Sequence, residues 1–463
     1  MPSCRFDASR SRRLGEDLTT VALGDIIRPG TTRGLDFVTL EELRKRTGVT
    51  ADSVLKFALG EMLCNALDKD STEIHVDVQV EGEFYRLTVA DNGGKKLCLE
   101  ELKLILDFEN KASSKRGFLR VSRGYLGNAL KCILGYSYAF AESKGLTPPD
   151  VVVKSANRGF RISLKPDRVQ GVIDSEVTTT EIEDDGFTTF IVRFPKGDEP
   201  NPSLVRDLVF ATSMVNLGRK ISYNIFGVGG SLGLPEEGKA IRQETSILWY
   251  TGKQFESLYE DFLRARPEIQ LKEFIPLFRG FTGKKIIRET LQNLNSSNHD
   301  SRENGSTQFF PATLIKDLPN GAVGKLFAAM REKAKPISKR SIPSVLGVVG
   351  EPAFERLREE NGWERLRYVM LTGVKVEHQD HVEFPYLVEL AIFDRKKGDE
   401  EGVKVYQCVN FMASMESIFS RIYDINYHLG RVGISKDMPV IIVAHLVCPV
   451  LKWLNYGKSG LNE

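Results

Sequence analysis

The sequence predicts a mixed α/β protein built around a two-layer sandwich of a sheet and helices. Segments 151–155, 159–164 and 188–194 each offer one apolar face, which a layer of helices must cover. Two further segments, 73–80 and 84–90, alternate apolar and polar residues with period two and are separated by a Glu-Gly turn, as in a β-hairpin. Helical and strand patterns alternate along this part of the chain, which favours the α/β class.

The helix that precedes the hairpin carries Glu61, Asn65 and Asp68 at positions i, i+4 and i+7, so the three side chains share one face. A carboxylate and a carboxamide one turn apart can hold a water molecule beside a hard metal ion, and Mg²⁺ favours oxygen ligands while it bridges phosphates. The carboxylate can take a proton from such a water. The alternative is a solvated helix face, which is the commoner meaning of a short motif of this kind.

The second strand of the hairpin runs into Asp91-Asn92-Gly93-Gly94. An aspartate at the end of a strand can accept a hydrogen bond from an exocyclic amine, and the glycines let the backbone approach a flat base closely. The alternative is an ordinary turn, because Asp-Asn-Gly is common turn chemistry.

A basic, glycine-punctuated segment, 113–128, leads into a predicted helix that begins at Ala129. A helix N-terminus behind glycines offers free N–H groups and a positive dipole end to phosphate. Lys115, Arg123 and Lys131 add positive charge to this segment. It does not match the Walker pattern, which requires Gly-Lys-Ser/Thr at its end.

In this order the segments resemble the GHKL ATPases, the group that contains gyrase B and the histidine kinases. The resemblance implies that Glu61 is the general base of Mg²⁺-dependent ATP hydrolysis and that Asn65 is the metal ligand. The segment 186–195 looks like the strand whose threonine holds the adenine-bound water, with Thr189 as the best match. The nucleotide contacts implied by the resemblance are Asn65, Asp68, Asp91, Gly93, Lys115, Arg123, Gly124, Tyr125, Leu126, Gly127, Asn128, Ala129 and Thr189.

Within that group the chain is most similar to the B subunit of topoisomerase VI. Segments 40–48, 122–130, 336–351 and 440–459 look like its N-terminal lead-in, its lid, the end of its helix-two-turns-helix insert and its transducer. By this likeness Lys458 is the switch lysine that reaches the γ-phosphate and acts in catalysis.

The chain also departs from that family. Cys64 stands where gyrase-like members carry an aspartate, and Lys95-Lys96 replaces the usual Pro-Gly. The sequence ends at Glu463, where topoisomerase VI continues into a stalk helix that grips the DNA-cleaving subunit. We therefore expect a partner to dock on the transducer surface or on the N-terminal basic arm.

Four domains are predicted: an N-terminal basic arm or strap (1–36), a GHKL ATPase domain (37–235), a helical insert (236–337) and a transducer domain (338–463). In the transducer, strands at 385–394, 403–409 and 439–447 flank a helix around 413–424, which predicts a right-handed βαβ crossover. His445 lies in an apolar strand and is predicted to be a hydrogen-bonded core histidine. In the insert, the polar stretch 293–306 predicts a loop.

Composition limits the function classes. The 463 residues include 64 basic and 62 acidic side chains, a net charge of only +2, which argues against a wholly basic nucleic-acid coat but permits local patches. Six cysteines without a Cys-x-x-Cys pair indicate neither a zinc ribbon nor a disulfide framework, and a reducing cytoplasm is expected, or a nucleoid or nucleus if DNA is bound. No segment approaches the ~20 apolar residues of a membrane span.

Two functions of different classes stay open. The first is an ATP-gated clamp that forms a homodimer on binding ATP and acts on DNA with a topoisomerase A-like cleavage subunit. The second is an ATP-regulated scaffold or chaperone-like clamp without a DNA role, which the near-neutral charge favours. A kinase-like phosphotransferase is disfavoured, because residues 1–60 contain no histidine.

Overall fold

A computed structural model of the protein describes residues 34–50, 53–69, 71–94, 96–109, 117–121, 129–197, 202–233, 244–296, 308–319, 321–377, 382–396, 402–414 and 429–451. Most of the predicted arm therefore lies outside the described residues. No helix in this described part of the chain has the length and apolarity that a membrane crossing requires.

The first half of the chain folds around an eight-stranded sheet. Its strands are Glu73–Glu81 (β1), Phe84–Asp91 (β2), Val151–Ser155 (β3), Arg158–Asp167 (β4), Val172–Glu181 (β5), Thr188–Pro195 (β6), Lys220–Ile225 (β7) and Val228–Leu232 (β8). The strand order is β5-β4-β3-β6-β2-β1-β7-β8, and the β1–β7 pair is parallel while the others are antiparallel. The predicted hairpin of β1 and β2 is confirmed and occupies the middle of the sheet.

Helices cover the apolar face of this sheet. They are Leu40–Thr47 (α1), Val54–Leu67 (α2), Leu99–Ile105 (α3), Ala129–Ser143 (α4) and Pro202–Met214 (α5). Ile74, Val76 and Val78 of β1 and every second residue of β2 from Tyr85 to Asp91 are buried, and the residues between them are partly exposed. Because side chains alternate across a strand, this burial pattern assigns one face of each strand to the helical layer. The predicted α/β sandwich is confirmed.

Gly135 of α4 fixes how closely the chain before α1 approaches the helical layer. A Cβ at this position would lie 1.7 Å from the carbonyl oxygen of Phe37, in the 3-10 turn Gly34–Val38. No side chain fits at that separation, so only glycine lets the turn pack on the helix.

A helical region follows the first sheet. It comprises Gly252–Ala265 (α6), Leu271–Phe274 (α7), Lys284–Ser296 (α8), Ala322–Lys333 (α9), Ile342–Leu346 (α10) and Glu351–Glu360 (α11). An aromatic cluster centred on Phe255, Phe274 and Phe278 joins α6 to α7 and the residues directly after it, with ring centroids 5.8–6.0 Å apart.

The loop predicted over 293–306 was placed too early, because α8 continues to Ser296. Asn295 explains the longer helix: its side chain accepts from the backbone N–H of Phe309 (2.8 Å) and donates to the carbonyl of the same residue (3.0 Å). The polar side chain of Asn295 therefore pairs both backbone groups of Phe309 inside the fold. Residues 297–307 lie outside the described part.

The last region forms a five-stranded sheet. Its strands are Arg365–Glu377 (β9), Val382–Asp394 (β10), Val403–Val409 (β11), Met412–Ala413 (β12) and Val440–Val447 (β13), in the order β12-β11-β13-β10-β9. β11 pairs with β13 in parallel, which requires a crossover connection between them. The helix predicted around 413–424 falls almost entirely outside the described residues, so the handedness of the crossover stays a prediction.

The turn between β11 and β12 contacts α5, which packs on the first sheet. Asn216, just after α5, donates a hydrogen bond to the carbonyl of Phe411 (2.8 Å), and Cys408 lies 3.5 Å from the carbonyl of Ala211. Asn410 and Phe411 both adopt positive φ, at 49° and 63°. Such angles are rare for residues with side chains, so packing against α5 holds this turn in its conformation.

Candidate functional site

Helix α2 carries Glu61, Asn65 and, directly after its end, Asp68. Twelve of its fourteen residues are buried, and Glu61 is only 7 % exposed, whereas Asn65 is exposed and Asp68 is half-buried. The solvated-face alternative therefore fails for Glu61, because an ordinary surface carboxylate would not be placed among buried residues. Glu61 lies near α4: burial, and secondarily the charge of Glu61, raise the pKa of the Cys132 thiol to about 12.

The Asp91 carboxylate lies at the end of β2 and is only 5 % exposed. Its Oδ1 accepts the backbone N–H of Gly93 (3.1 Å), which is the bond expected of an aspartate in a turn. The Ser71 hydroxyl lies 3.1 Å from the same oxygen and 2.7 Å from the carbonyl of Ala66, so its single hydrogen serves one of them at a time. Ser71 thereby connects the end of α2 with Asp91.

Lys69 is a site residue that the sequence motifs did not reveal. Its ammonium lies 3.1 Å from Oδ2 of Asp91 and 5.8 Å from the ring centroid of Phe190. The signal that could have found it is its position, one residue after Asp68 and therefore at the same end of α2. Oδ1 of Asp91 makes the hydrogen bond expected in a turn, whereas Oδ2 is bound by the Lys69 ammonium.

Asn92 fixes the turn against the start of β1. Its Oδ1 accepts from the backbone N–H groups of Thr72 (2.9 Å) and Glu73 (3.0 Å), and its Nδ2 donates to the Thr72 hydroxyl (2.9 Å). The backbone after Asp91 is therefore held against the start of β1, and the Asp91 carboxylate is presented from a rigid element.

We expect Gly93→Ala to destabilise the fold by about 1–3 kcal/mol, the usual cost of overpacking. A Cβ on Gly93 would lie 2.7 Å from Cβ of Lys69 and 2.9 Å from both Oδ1 of Asp91 and the Ser71 hydroxyl. Urea unfolding measures the loss. Gly94→Ala is the matched control, because a Cβ at Gly94 meets nothing within 4 Å; equal losses for the two variants would contradict this packing.

The threonine predicted to act with Asp91, Thr189, is not the one that pairs with Asp91 in the sheet. Thr189 pairs with Ala90, whereas Thr188 pairs with Asp91, and directly paired residues share one face of a sheet. Thr188 is fully buried, and its hydroxyl lies 3.3 Å from that of Ser155. Because side chains alternate along a strand with a period of two, a shift of one position moves a side chain to the opposite face, so Thr188 and not Thr189 shares the face of Asp91.

Of the predicted phosphate-binding segment, the structure describes 117–121 and the start of α4. Ala129 is the first residue of that helix as expected, whereas Lys131 is fully buried and its ammonium donates to the carbonyl of Asp107. The other residues predicted to bind phosphate and the predicted switch lysine lie outside the described residues: Lys115, Arg123, Gly124, Tyr125, Leu126, Gly127, Asn128 and Lys458.

The described residues include no group of three or more His, Cys, Asp or Glu side chains that could hold a metal ion by themselves. Asn65 offers an exposed carboxamide oxygen on the face that also bears Glu61. The Asn65 carboxamide and the Glu61 carboxylate are oxygen donors, the kind of ligand that Mg²⁺ favours.

Comparison with known proteins gives similarity in structure only. No family model and no curated protein matches the sequence. The ATPase region of Saccharomyces cerevisiae topoisomerase II is similar with a TM-score of 0.38 and 10 % identity, over 88 % of this chain and 76 % of that one. The same region bound to ICRF-187 (dexrazoxane) gives 0.33 and 11 %, over 88 % and 78 %. The N-terminal domain of a DNA repair protein gives 0.32 and 10 %, over 88 % and 86 %.

Proposed function

We propose that this protein is a Mg²⁺-dependent ATPase of the GHKL type that works as an ATP-gated clamp. The observation that carries the proposal is the joint placement of a buried Glu61, an exposed Asn65 and the carboxylate of Asp91, with Ser71 connecting the end of α2 to Asp91. A solvated helix face and an ordinary turn would not require a buried glutamate and a lysine-paired aspartate.

The residues take distinct roles in this proposal. The Asn65 carboxamide oxygen would hold Mg²⁺, which supplies charge neutralisation to the phosphates when bound. Glu61 takes the proton of the attacking water as general base. Asp91 accepts a hydrogen bond from the base, with Thr188 beside it in place of Thr189. Asp68 contacts the nucleotide from the same face of α2. The predicted lid, including Lys115 and Arg123 to Ala129, covers the phosphates, and Lys458 reaches the γ-phosphate when the clamp closes.

Asn65→Ala tests the metal site. A non-hydrolysable ATP analogue at a hundred times its dissociation constant should stabilise the wild-type protein by about 2.7 kcal/mol, and the magnesium-dependent part of this gain should vanish in the variant. Thermal unfolding with and without Mg²⁺ measures both. Asn157→Ala, an exposed asparagine on the β3–β4 turn, is the control. A full magnesium-dependent shift in Asn65→Ala would refute the assignment.

We further propose the more specific role of a topoisomerase VI B-like subunit. In this role the protein forms a homodimer on binding ATP and acts on DNA with a cleavage subunit. ATP must then bind the closed dimer more tightly than the open state. The alternative is an ATP-regulated scaffold or chaperone-like clamp, which the net charge of +2 favours. Light scattering with and without the analogue tests the dimer, and DNA binding that weakens steeply with salt distinguishes the two roles.

A further inference from the structure

An ion pair lies within the proposed base-binding site. The Nζ atom of Lys69 is 3.1 Å from Oδ2 of Asp91, and the two side chains are 27 % and 5 % exposed. The pair therefore presents a hydrogen-bond donor and an acceptor side by side, and the lysine is the partner that solvent reaches more easily.

The two oxygens of Asp91 are not equivalent. Oδ1 is turned into the protein, where it meets the backbone N–H of Gly93 and the Ser71 hydroxyl, both at 3.1 Å. Oδ2 accepts from Lys69. A carboxylate oxygen has two acceptor positions, so a donor on a bound base can join at Oδ2 while the lysine remains.

A base would not readily expel Lys69. A hydrogen bond from a charged donor to a carboxylate is roughly twice as strong as one from a neutral donor, so an exocyclic amine is a poor replacement for an ammonium. The lysine has a second contact as well, because its ammonium lies 5.8 Å from the ring centroid of Phe190. Lys69 is therefore expected to stay on Asp91 when a nucleotide is bound.

We propose that Lys69 and Asp91 recognise the base together, an inference that rests on the proposed nucleotide site. Asp91 accepts from a donor on the base edge, and Lys69 donates to the acceptor beside it. The ligand class is a nucleotide whose base has a donor next to an acceptor on one edge, as adenine has in its 6-amino group and N1. Lys69 is thus a specificity-determining residue, supplied by the turn after α2.

The test is a double-mutant cycle in which one change replaces the Lys69 side chain and the other removes N1 from the base. Calorimetry gives the affinities of wild-type protein and Lys69→Met for ATP and for 1-deaza-ATP, which keeps the 6-amino group but lacks the N1 acceptor. Losing one hydrogen bond to a charged group should weaken wild-type binding of 1-deaza-ATP about 10- to 100-fold. Lys69→Met should bind ATP more weakly by a similar factor and should show no further loss with 1-deaza-ATP.

Two more variants complete the experiment. Lys69→Arg keeps the charge and the hydrogen-bond donors, so this variant should still bind 1-deaza-ATP more weakly than ATP by most of the wild-type factor. Lys285→Met removes the same charge at a side chain that is 91 % exposed on α8, and its affinities for ATP and for 1-deaza-ATP should both equal those of the wild type. Melting temperatures of the ligand-free variants verify folding.

The outcomes separate the two proposals. Wild-type protein that binds neither nucleotide defeats the proposed function itself. If ATP binds, equal wild-type affinities for ATP and 1-deaza-ATP overturn the role of Lys69, and this result does not need the Met variant to fold. The role of Lys69 is also overturned if Lys69→Met binds ATP as tightly as the wild type or more tightly. It is overturned as well if Lys69→Met still binds 1-deaza-ATP more weakly than ATP.

Discussion

Glu61→Gln should lower the rate of ATP hydrolysis by about 10²–10⁴-fold while nucleotide binding survives, because removal of a general base typically has an effect of that size. Glutamine matches the volume of the buried glutamate, so the fold should be retained. Phosphate release gives the rate, and the thermal shift with a non-hydrolysable analogue gives binding. With ATP the variant should accumulate as a closed dimer, because hydrolysis no longer reopens the clamp.

The control for this prediction is Glu83→Gln. Glu83 is exposed in the turn between β1 and β2, so its replacement makes the same change of charge outside the site. Turnover by Glu61→Gln at the rate of this control would show that Glu61 is a structural carboxylate on a buried helix. If Glu61→Gln lost both analogue binding and turnover, Glu61 would have a role in nucleotide binding and not in proton transfer.

Glu389→Gln should destabilise the protein by about 3–5 kcal/mol, the usual effect of breaking a fully buried charged network. The Glu389 carboxylate accepts from the backbone N–H groups of Val349 (3.1 Å) and Gly350 (2.8 Å), from the Tyr368 hydroxyl (2.8 Å) and from Nδ1 of His445 (2.9 Å). Both oxygens face donors, so the NH₂ group of glutamine must oppose two of them. Urea unfolding measures the change.

The hydrogen on His445 follows from its other contact. Its Nε2 accepts the backbone N–H of Phe411 (3.1 Å), so we assign the ring hydrogen to Nδ1, from which it is donated to Glu389. The prediction of a hydrogen-bonded core histidine is thereby confirmed. Phe411 lies in the turn that packs on α5, so this network connects the second sheet with the first region of the chain.

The effect of Glu389→Gln should depend on pH. Burial by itself raises the pKa of Glu389, but the hydrogen bond from His445, together with those from the N–H groups of Gly350 and Val349, outweighs burial and holds this pKa below its usual value. A lowered pKa stabilises the folded state above the ordinary glutamate pKa of about 4.3, and this stabilisation is lost as the pH falls towards the folded-state pKa.

The difference in the free energy of unfolding between wild type and Glu389→Gln should therefore have its full size at pH 7 and decrease below about pH 4.3. Glu383→Gln, half-buried on the same strand, is the control and should cost much less. A difference that stays constant from pH 7 to the acid range would contradict the ionised network.

Much of the architecture could be predicted because it depends on local periodicity. The alternation in β1 and β2 and the apolar spacing of α2 and α4 are properties of neighbouring residues, and these elements appear where the sequence indicates them. Strands β5 and β9 were missed. β5 is exposed along most of its length, and β9 has exposed apolar side chains such as Leu371, so neither shows the clean alternation of a half-buried strand.

The sequence by itself determined the α/β class, the hairpin and the positions of Glu61, Asn65 and Asp91, because each follows from spacing along one helix or at one strand end. Only the tertiary structure decided that Thr188 stands beside Asp91, that Lys69 holds Oδ2 and that Glu389 meets His445. These partners are 97, 22 and 56 residues apart in sequence. Their meeting depends on strand register and on the packing of α2 against the sheet, neither of which local periodicity encodes.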